Sequence, residues 1–186
     1  MTQRIIVGIT GASGIVLGVR ALQLLRAADV ETHLVMSKSA ELTLNYELDL
    51  SGSEVRALAG EVHSAKNIGA SIASGSFLTA GMLIAPCSIR SLSEIASGVT
   101  STLLTRAADV VLKERRRLVL MVRETPLHLG HLRSMTQVTE MGAVIAPPVP
   151  AFYSRPDSID TMVTQSVGRA LDLFGLHSDA VSRWQG

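Results

Sequence analysis

The stretch IIVGITGASG, residues 5–14, is an apolar run that changes abruptly into Thr, Gly, Ala and Ser. Its first half, Ile5–Ile9, has the length and composition of a buried strand, and a helical pattern begins at Ile15. A strand that passes through a glycine-rich turn into a helix is the first unit of an α/β protein. The turn itself has two interpretations. It is either a phosphate-binding turn that uses helix N-terminal amides, or an ordinary tight turn.

Further apolar runs of the same kind follow, and they lack the in/out alternation of a half-exposed sheet. They are Thr32–Met36, Met82–Ala85, Leu118–Val122 and Ala143–Ala146. Helical patterns separate them, at Ile15–Ala27, Val55–Ala59, Thr102–Glu114, Leu129–Met141 and Ser158–Phe174. This alternation predicts a three-layer, doubly wound α/β fold with a Rossmann-like (flavodoxin-like) parallel sheet. Ligands of such sheets bind beyond the carboxyl ends of the strands.

The composition limits the kinds of protein that the chain can be. Its 186 residues suit one domain, residues 1–186, and the 47% hydrophobic content indicates extra buried surface between subunits. A net charge of +1 gives no general attraction to nucleic acid or to a membrane surface. The single cysteine, Cys87, favours a reducing cytoplasm. No apolar run approaches the roughly 18 residues of a membrane span, and the N-terminus is not typical of a signal peptide.

Small hydroxyl residues lie near several predicted strand ends. Ser37 closes the second strand, Ser74-Gly75-Ser76 precedes the third, and Pro86-Cys87-Ser88-Ile89-Arg90-Ser91 follows it into a helix. The turn at Thr10–Gly14 contains neither the GxGxxG dinucleotide pattern nor the lysine of a P-loop. Together these ends predict a pocket for a phosphate and a ring. Cys87 is interpreted as a buried strand-end residue, because no histidine lies near it in sequence.

Two charged segments are candidates for phosphate binding or catalysis. Arg106 and Lys113 are seven residues apart and share a helix face, where they can bind phosphate, whereas the following arginines suit a solvated helix end. Asp109 is a possible partner for Lys113. Arg123-Glu124 directly follows the fourth strand, so it suits a phosphate, a ring carbonyl or a proton transfer, with structural ion pairing as the alternative.

The remaining polar candidates lie in the last third of the chain. His128 and His131 are three apart, but no second ligand cluster joins them, so helix capping is favoured and no metal site is predicted. Tyr153 lies in a proline-rich loop of a chain in which aromatic residues make up only 3%. Arg169 lies among apolar residues of the last helix, which indicates an anion partner, a subunit contact or a surface side chain that packs its stem.

A series of motifs resembles, in order and over nearly the whole chain, the UbiX-type flavin prenyltransferases. This family is also known as the Pad-type phenylacrylate, aromatic-acid or 3-octaprenyl-4-hydroxybenzoate decarboxylases. The motifs are TGASG, the Ser37-Lys38 pair followed by Glu47, SGS, PCS, RAADVVLKERR, RETP, HLGHL, PPVPAFY and RWQG. Two departures stand out, since Ile68 replaces a tryptophan of some members and Arg117 replaces the usual proline after ERR.

The resemblance implies an activity and its reactants. The family joins a dimethylallyl group from dimethylallyl monophosphate to N5 and C6 of reduced FMN, without a metal. The product is the cofactor of UbiD-type decarboxylases. Members assemble as homododecamers with active sites at subunit interfaces, which implies that Tyr153 and Arg169 act across an interface.

The resemblance also implies site residues at the matching positions. Those that would hold FMN are Gly11, Ala12, Ser13, Ser37, Ser88, Ile89, Arg90, Ser91 and Arg123. Those that would hold the prenyl phosphate are Tyr153 and Arg169, assisted by Ser74, Arg106 and Lys113. Those at the reacting centre would be Ser13, Glu47 and Glu124, with Lys113 in a catalytic role at the phosphate. The proton lost from C6 would go to Glu124 or to a phosphate oxygen.

Two other functions compete with prenyl transfer. One is an FMN-dependent decarboxylase that acts on its substrate directly, and the other is a non-catalytic flavin-binding subunit of such an enzyme. A simple flavin binder has no need of a second phosphate-binding set at Lys113, Tyr153 and Arg169. The sequence therefore favours the prenyltransferase.

Overall fold

The computed structural model describes residues 3–184, and within this range the chain forms six strands and seven α-helices. The strands are β1 (Arg4–Ile9), β2 (Glu31–Met36), β3 (Glu61–Ser64), β4 (Gly81–Cys87), β5 (Arg117–Val122) and β6 (Val144–Ile145). The helices are α1 (Ile15–Ala27), α2 (Lys38–Glu47), α3 (Gly52–Arg56), α4 (Ile89–Ala96), α5 (Leu103–Lys113), α6 (Leu129–Glu140) and α7 (Ile159–Asp172). Short 3₁₀ turns lie at Ser71–Ala73 and Phe152–Ser154.

The strands form one parallel sheet in the order β3-β2-β1-β4-β5-β6. The predicted doubly wound α/β fold is confirmed. The five strands that the sequence predicts would by themselves read 2-1-3-4-5, which is the flavodoxin order. The additional edge strand β3 extends this order to the 3-2-1-4-5-6 arrangement of the Rossmann fold. The strand order reverses between β1 and β4, and this switch point is where such sheets bind ligands.

Some predicted boundaries are wrong, for reasons that are visible in the burial pattern. β3 was missed because only His63 of its four residues is buried. Helix α2 was missed because it buries only Ala40 and Leu44. The strand predicted at Ala143–Ala146 contains only Val144–Ile145. β4 continues through Cys87, two residues beyond its predicted end, because its final residues are fully buried beside β5.

The core has two layers, one on each face of the sheet. Helices α1 and α7 cover one face, and α4, α5 and α6 cover the other. Gly18 brings α1 unusually close to the sheet, since an added Cβ would lie 2.5 Å from the Ala85 carbonyl oxygen. This close approach fixes the start of α1 beside the carboxyl end of β4. In the part of the chain that the structure describes, no helix is long and apolar enough to cross a membrane.

Candidate active site

Thr10 joins the carboxyl ends of β1 and β4 at the switch point of the sheet. Its side chain is almost fully buried, and its Oγ1 donates to the Pro86 carbonyl oxygen at 2.8 Å. Thr10 Oγ1 in turn accepts the Ser88 amide at 2.7 Å. One hydroxyl thus satisfies two backbone groups where β4 turns into α4, and this fixes the position of the segment Ser88–Ser91.

A cavity of about 780 Å³ opens beside this connection, in the size range of small-molecule sites. The N-termini of three helices meet in its wall, those of α2, α4 and α5. Their capping hydroxyls are Ser37, which accepts the Ala40 amide, Ser88, which accepts the Ser91 amide, and Thr102, which accepts the Thr105 amide. Each helix N-terminus carries partial positive charge, so the cavity favours an anion.

Charged side chains in the cavity wall add to this positive potential. Four cationic residues line it, which are Lys38, Arg56, Lys66 and Arg90, against the two acidic residues Glu41 and Glu94. The acidic pair is already engaged, since Arg56 binds Glu41 and Arg90 binds Glu94. The wall therefore carries an excess of two positive charges from these six side chains, which suits a phosphate group.

Several residues that the resemblance assigns to FMN lie in this cavity or beside it. Ser37, Ser88, Arg90 and Ser91 line it directly. Gly11 lies against the start of α2, where an added Cβ would be 2.4 Å from the Cβ of Ser39. Only a glycine allows the β1–α1 turn to come this close to α2. The cavity and the turn thus form one continuous edge of the sheet.

Glu47 caps the N-terminus of α1. Its carboxylate accepts the Gly14 amide at 2.9 and 3.1 Å and the Ile15 amide at 2.9 Å, and it is also hydrogen-bonded to Ser13. Burial raises the pKa of Glu47, but these bonds and the charge of Arg123 outweigh it and hold the pKa below its ordinary value. The negatively charged group at the Gly14 and Ile15 amides is therefore the ionised carboxylate of Glu47, a residue of the same chain.

Arg123 and Glu124 extend this cluster at the end of β5. The Arg123 amide donates to the Cys87 carbonyl oxygen at 3.1 Å, which holds the start of the loop beside β4. The Glu124 side chain is exposed and accepts the Thr125 amide at 2.9 Å. Arg123 at the end of β5 and Glu47 at the start of α1 both lie at the carboxyl edge, where the charge of Arg123 helps to lower the pKa of Glu47.

Ser74 and Lys113 lie away from this edge, whereas Arg106 is in the first turn of α5, next to the cavity-lining residues Leu104 and Thr105. Lys113 ends α5, four residues before β5 begins, and is therefore near the amino edge of the sheet. It lies against the Ser74–Ser76 loop, since a Cβ on Gly75 would be 2.8 Å from its Nζ. Within one chain, the structure does not bring Lys113 together with Ser13 or Glu47.

The proposed pairing of Asp109 with Lys113 is wrong. Asp109 accepts from Arg106 at 2.5 Å, one turn earlier on α5, and Lys113 binds the adjacent Glu114. The i,i+3 spacing places Arg106 and Asp109 on the same helix face, and the pair forms there.

Tyr153 and Arg169 lie in a third region, around the C-terminal segment. The Tyr153 ring packs edge-to-face with Trp184, with their centroids 5.7 Å apart, and its hydroxyl lies 3.4 Å from Gln165 Nε2. Arg169 is half-exposed and bound to Asp172. It also lines a small cavity with the proline-rich loop that follows β6.

Asp172 organises the segment that carries Trp184. Its carboxylate binds Arg183 at 2.8 Å and His177 at 2.8 Å in addition to Arg169. The hydrogen bond from Arg183 and the nearby cations outweigh burial and lower the pKa of Asp172 to about 2. Gln165 adds two hydrogen bonds to the backbone of Ser182. Residues 177–184 are thereby held back against α7.

The sequence interpretation did not assign roles to Trp184, Gln165 or Asp172. The RWQG motif was the only signal for Trp184, and its last two residues lie outside the described residues. Asp172 is three residues after Arg169, a spacing that places both on one helix face. This spacing could have identified Asp172 as the partner of Arg169.

Two alternatives from the sequence are decided by the structure. Burial raises the pKa of the Cys87 thiol to about 12, so Cys87 is a protonated, buried residue as interpreted. His128 caps α6, since its Nδ1 accepts the Gly130 and His131 amides at 3.0 and 3.4 Å. The helix-capping interpretation of this histidine is therefore confirmed.

Comparison with known proteins gives one family and several close relatives. The family model described as Flavoprotein matches residues 1–169. The chain is 63% identical to the flavin prenyltransferase UbiX of Escherichia coli K12 over 187 residues, which covers 99% of both chains.

Two crystal structures have nearly the same fold. One is AnUbiX (PadA1) in complex with FMN and dimethylallyl pyrophosphate, which is 54% identical with a TM-score of 0.99 and covers 100% of this chain and 99% of its own. The other is a dodecameric FMN-dependent UbiX-like decarboxylase from Escherichia coli O157:H7. It is 49% identical with a TM-score of 0.97 and covers 99% of this chain and 100% of its own.

Proposed function

This chain belongs to the flavoprotein family, as a UbiX-type flavin prenyltransferase, and on that premise we propose the reaction that it performs. The enzyme transfers a dimethylallyl group from dimethylallyl monophosphate to N5 and C6 of reduced FMN, without a metal ion in the reaction. The prenylated FMN then serves a UbiD-type decarboxylase. The observation that carries this proposal is the anion-favouring cavity at the switch point of the sheet.

The residues at the carboxyl edge fit a mononucleotide. Ser37, Ser88 and Ser91 offer hydroxyls and helix N-terminal amides to a phosphate, and Arg90 adds a cation. Gly11 and Ala12 form the turn that approaches the cavity, Ile89 begins α4, and Arg123 lies at the end of β5. Reduced FMN, when bound, supplies the nucleophilic N5 and C6 atoms.

Ser13, Glu47 and Glu124 act at the reacting centre in this proposal. Glu47 is ionised and holds Ser13 beside the start of α1, at the edge where the flavin ring would bind. Glu124 is exposed at the same edge, where its carboxylate can act as a proton acceptor. The proton lost from C6 goes either to Glu124 or to a phosphate oxygen.

Tyr153, Arg169, Ser74, Arg106 and Lys113 bind the prenyl phosphate in this proposal. They stabilise the negative charge that builds on the phosphate as the carbon–oxygen bond breaks, and Lys113 is the catalytic cation among them. Because Lys113 and Ser13 lie at opposite edges of one sheet, a complete site requires a neighbouring subunit.

We propose that this neighbour belongs to a homododecamer. The dodecameric relative supports it, as do three large apolar side chains that are exposed in the single chain, Val149 at 70%, Phe152 at 75% and Trp184 at 72%. Such side chains are typical of a surface that a partner covers.

A single domain in a reducing cytoplasm is consistent with the buried, unpaired Cys87.

The test is anaerobic incubation of the protein with reduced FMN and either dimethylallyl monophosphate or dimethylallyl pyrophosphate. The extracted flavin is then analysed by mass spectrometry. A gain of one five-carbon unit with the monophosphate supports the proposal, and a gain with the pyrophosphate alone corrects the donor. Unmodified flavin with both donors would contradict prenyl transfer. Activation of an apo UbiD-type decarboxylase by the extract tests the recipient.

The Glu124→Gln variant separates the two proton acceptors. We expect it to retain FMN and to slow turnover by roughly tenfold to a hundredfold if the carboxylate takes the C6 proton, since general-base catalysis contributes at least that much. The measurement is single-turnover formation of the prenylated flavin. A wild-type rate would assign the proton to the phosphate oxygen.

Co-expression of two inactive variants tests the shared site. Lys113→Ala and Glu47→Gln subunits, each nearly inactive alone, are expected to form mixed assemblies in which some sites combine an intact Glu47 with an intact Lys113 from the neighbour. With equal amounts, about a quarter of the sites are complete, and activity should recover to that level. Activity no higher than that of the separate variants would show that each chain uses its own Lys113.

A further inference from the structure

Two histidines and a glutamate meet between β2 and the edge strand β3, and none of them has a role in the proposed reaction. His33 lies in β2, and Glu61 and His63 lie in β3. In the register of the two parallel strands, His33 is paired with Glu61, and His63 is two residues further along. Side chains two residues apart on a strand point to the same face, so the two imidazoles meet on the α4–α5–α6 side of the sheet.

The potential ligand atoms of the three residues lie 3.0 to 3.5 Å apart. His33 Nδ1 lies 3.0 Å from His63 Nε2 and 3.4 Å from a carboxylate oxygen of Glu61. His63 Nε2 lies 3.5 Å from the other Glu61 oxygen. Ligands at about 2.0–2.1 Å from a tetrahedral zinc ion are about 3.3 Å from one another. The observed spacing therefore fits one small cation placed among the three atoms.

The contacts around His33 fix the orientation of its ring between Glu31 and the two residues of β3. Glu31 lies 3.1 Å from His33 Nε2, and the Glu31 carboxylate is held in turn by Arg4 Nε at 2.8 Å. His33 Nε2 faces Glu31, and His33 Nδ1 faces both His63 and Glu61. A carboxylate behind a metal-bound imidazole is a common outer-shell arrangement, because it orients the ring and raises its basicity.

Burial and access both suit a bound ion. The side chains of His33 and His63 are only 1% and 6% exposed, and the edge of the Phe77 ring packs on His33 with centroids 5.0 Å apart. Glu61 is more than half exposed and gives solvent access to the cluster.

We propose that His33, His63 and Glu61 form a binding site for a divalent transition-metal cation of the zinc type. Two imidazole nitrogens and one carboxylate oxygen favour such an ion over Mg²⁺ or Ca²⁺, which prefer oxygen ligands alone. Water completes the coordination on the open side of Glu61. The ion joins β2 to the edge strand β3, and it thereby stabilises the segment of the cavity wall that contains His63. This site is independent of the proposed prenyl transfer.

The test uses the protein after dialysis against a chelator, without FMN or prenyl donor. We expect calorimetric titration with ZnCl₂ to give one ion per chain with a micromolar or lower Kd. The apparent Tm should rise with the ZnCl₂ concentration, because an ion that binds only the folded state stabilises it. Co²⁺ in place of Zn²⁺ should give the visible absorption bands of a nitrogen- and oxygen-coordinated ion.

Single substitutions test which residues bind the Zn²⁺ ion. Glu61→Gln changes an exposed side chain and should weaken Zn²⁺ binding by about a hundredfold or more, and His63→Gln should do the same. The outer-shell variant Glu31→Gln should weaken binding by about tenfold to a hundredfold. His131→Ala is the matched control, because His128 and His131 are a surface histidine pair with centroids 3.5 Å apart.

Specific outcomes would overturn the site. One is a Kd weaker than about 100 μM in the chelator-treated protein, far from the affinities of structural zinc sites. Another is Zn²⁺ binding that Glu61→Gln and His63→Gln both leave unchanged, or that His131→Ala abolishes. In those cases the contact between His33 and His63 is a hydrogen bond only.

Discussion

Glu47→Gln is expected to lower the rate of prenyl transfer on the order of a hundredfold while FMN binding changes little. The carboxylate receives the Gly14 and Ile15 amides and orients Ser13, whereas a glutamine offers a single acceptor oxygen. Its NH₂ group would face backbone donors, and the negative charge that complements the α1 N-terminus would be lost. Ser13 and the turn would then lose their fixed position at the reacting centre.

The measurement is single-turnover prenyl transfer, with FMN affinity determined separately by flavin fluorescence. Glu54→Gln is the matched control, because Glu54 also accepts an N-terminal amide, in the capping box of α3, but lies outside the site. Its rate should equal that of the wild type. A Glu47→Gln variant that retains the wild-type rate would remove Glu47 from the reacting centre.

The same variant has a defined pH dependence of stability. The pKa of Glu47 is lower in the folded protein than its ordinary value of 4.5, so its stabilisation is complete above about pH 4.5. It is lost as the pH falls through the folded-state pKa. The difference in apparent Tm between wild type and Glu47→Gln should therefore be largest near neutral pH and shrink below pH 4.5. A constant difference across this range would mean that the carboxylate charge does not contribute.

Thr10→Val is expected to have the largest effect on the fold of the site. Valine keeps the shape but removes the hydroxyl that binds the Ser88 amide and the Pro86 carbonyl oxygen. The carbonyl retains a longer bond from the Thr10 amide at 3.3 Å, but the Ser88 amide loses the acceptor that it has in the structure. An unsatisfied buried donor costs about 1–3 kcal/mol, which is a decrease of about 2–12 °C in Tm for a domain of this size.

The functional consequence of Thr10→Val follows from the position of Ser88. Because Ser88 caps α4 at the cavity, its displacement should weaken FMN binding by about tenfold, the equivalent of about 1.4 kcal/mol. The measurements are thermal unfolding and flavin fluorescence titration. Thr10→Ser is the control, because it keeps the hydroxyl and should retain FMN affinity. Equal losses in both variants would show that the hydroxyl bonds to Ser88 and Pro86 do not account for the effect.

The parts of the fold that the sequence predicted correctly are those in which local pattern and burial agree. Ile5–Ile9 is covered on both faces and reads as a continuous apolar run, so its prediction as a buried strand is confirmed. β3 exposes most of its side chains at the edge of the sheet, and no periodicity marks it. Its existence depends on pairing with β2, which is a tertiary effect that a single-sequence pattern does not contain.

The candidate site also contains residues that a sequence rule predicts and contacts that depend on the tertiary fold. Ser37 and Ser88 were found because strand ends in a parallel sheet share one edge, a rule that holds without coordinates. The hydrogen bonds between Glu47 and Gly14 join residues 33 positions apart, and no local pattern predicts them. In one chain Lys113 lies away from Ser13, so its proposed role at the phosphate depends on subunit assembly, which the sequence pattern does not describe.

The segment held by Asp172 and Gln165 has a practical consequence for fusing this enzyme to other proteins. Residues 177–184 fold back along α7 and bring Trp184 to Tyr153, so the described C-terminal end lies beside the proposed prenyl-phosphate site. Gln3, at the other described end, binds the Phe174 carbonyl oxygen at the amino edge of the sheet. A fusion partner on the C-terminal side would therefore lie near the proposed prenyl-phosphate site, whereas one on the N-terminal side would lie near the amino edge of the sheet.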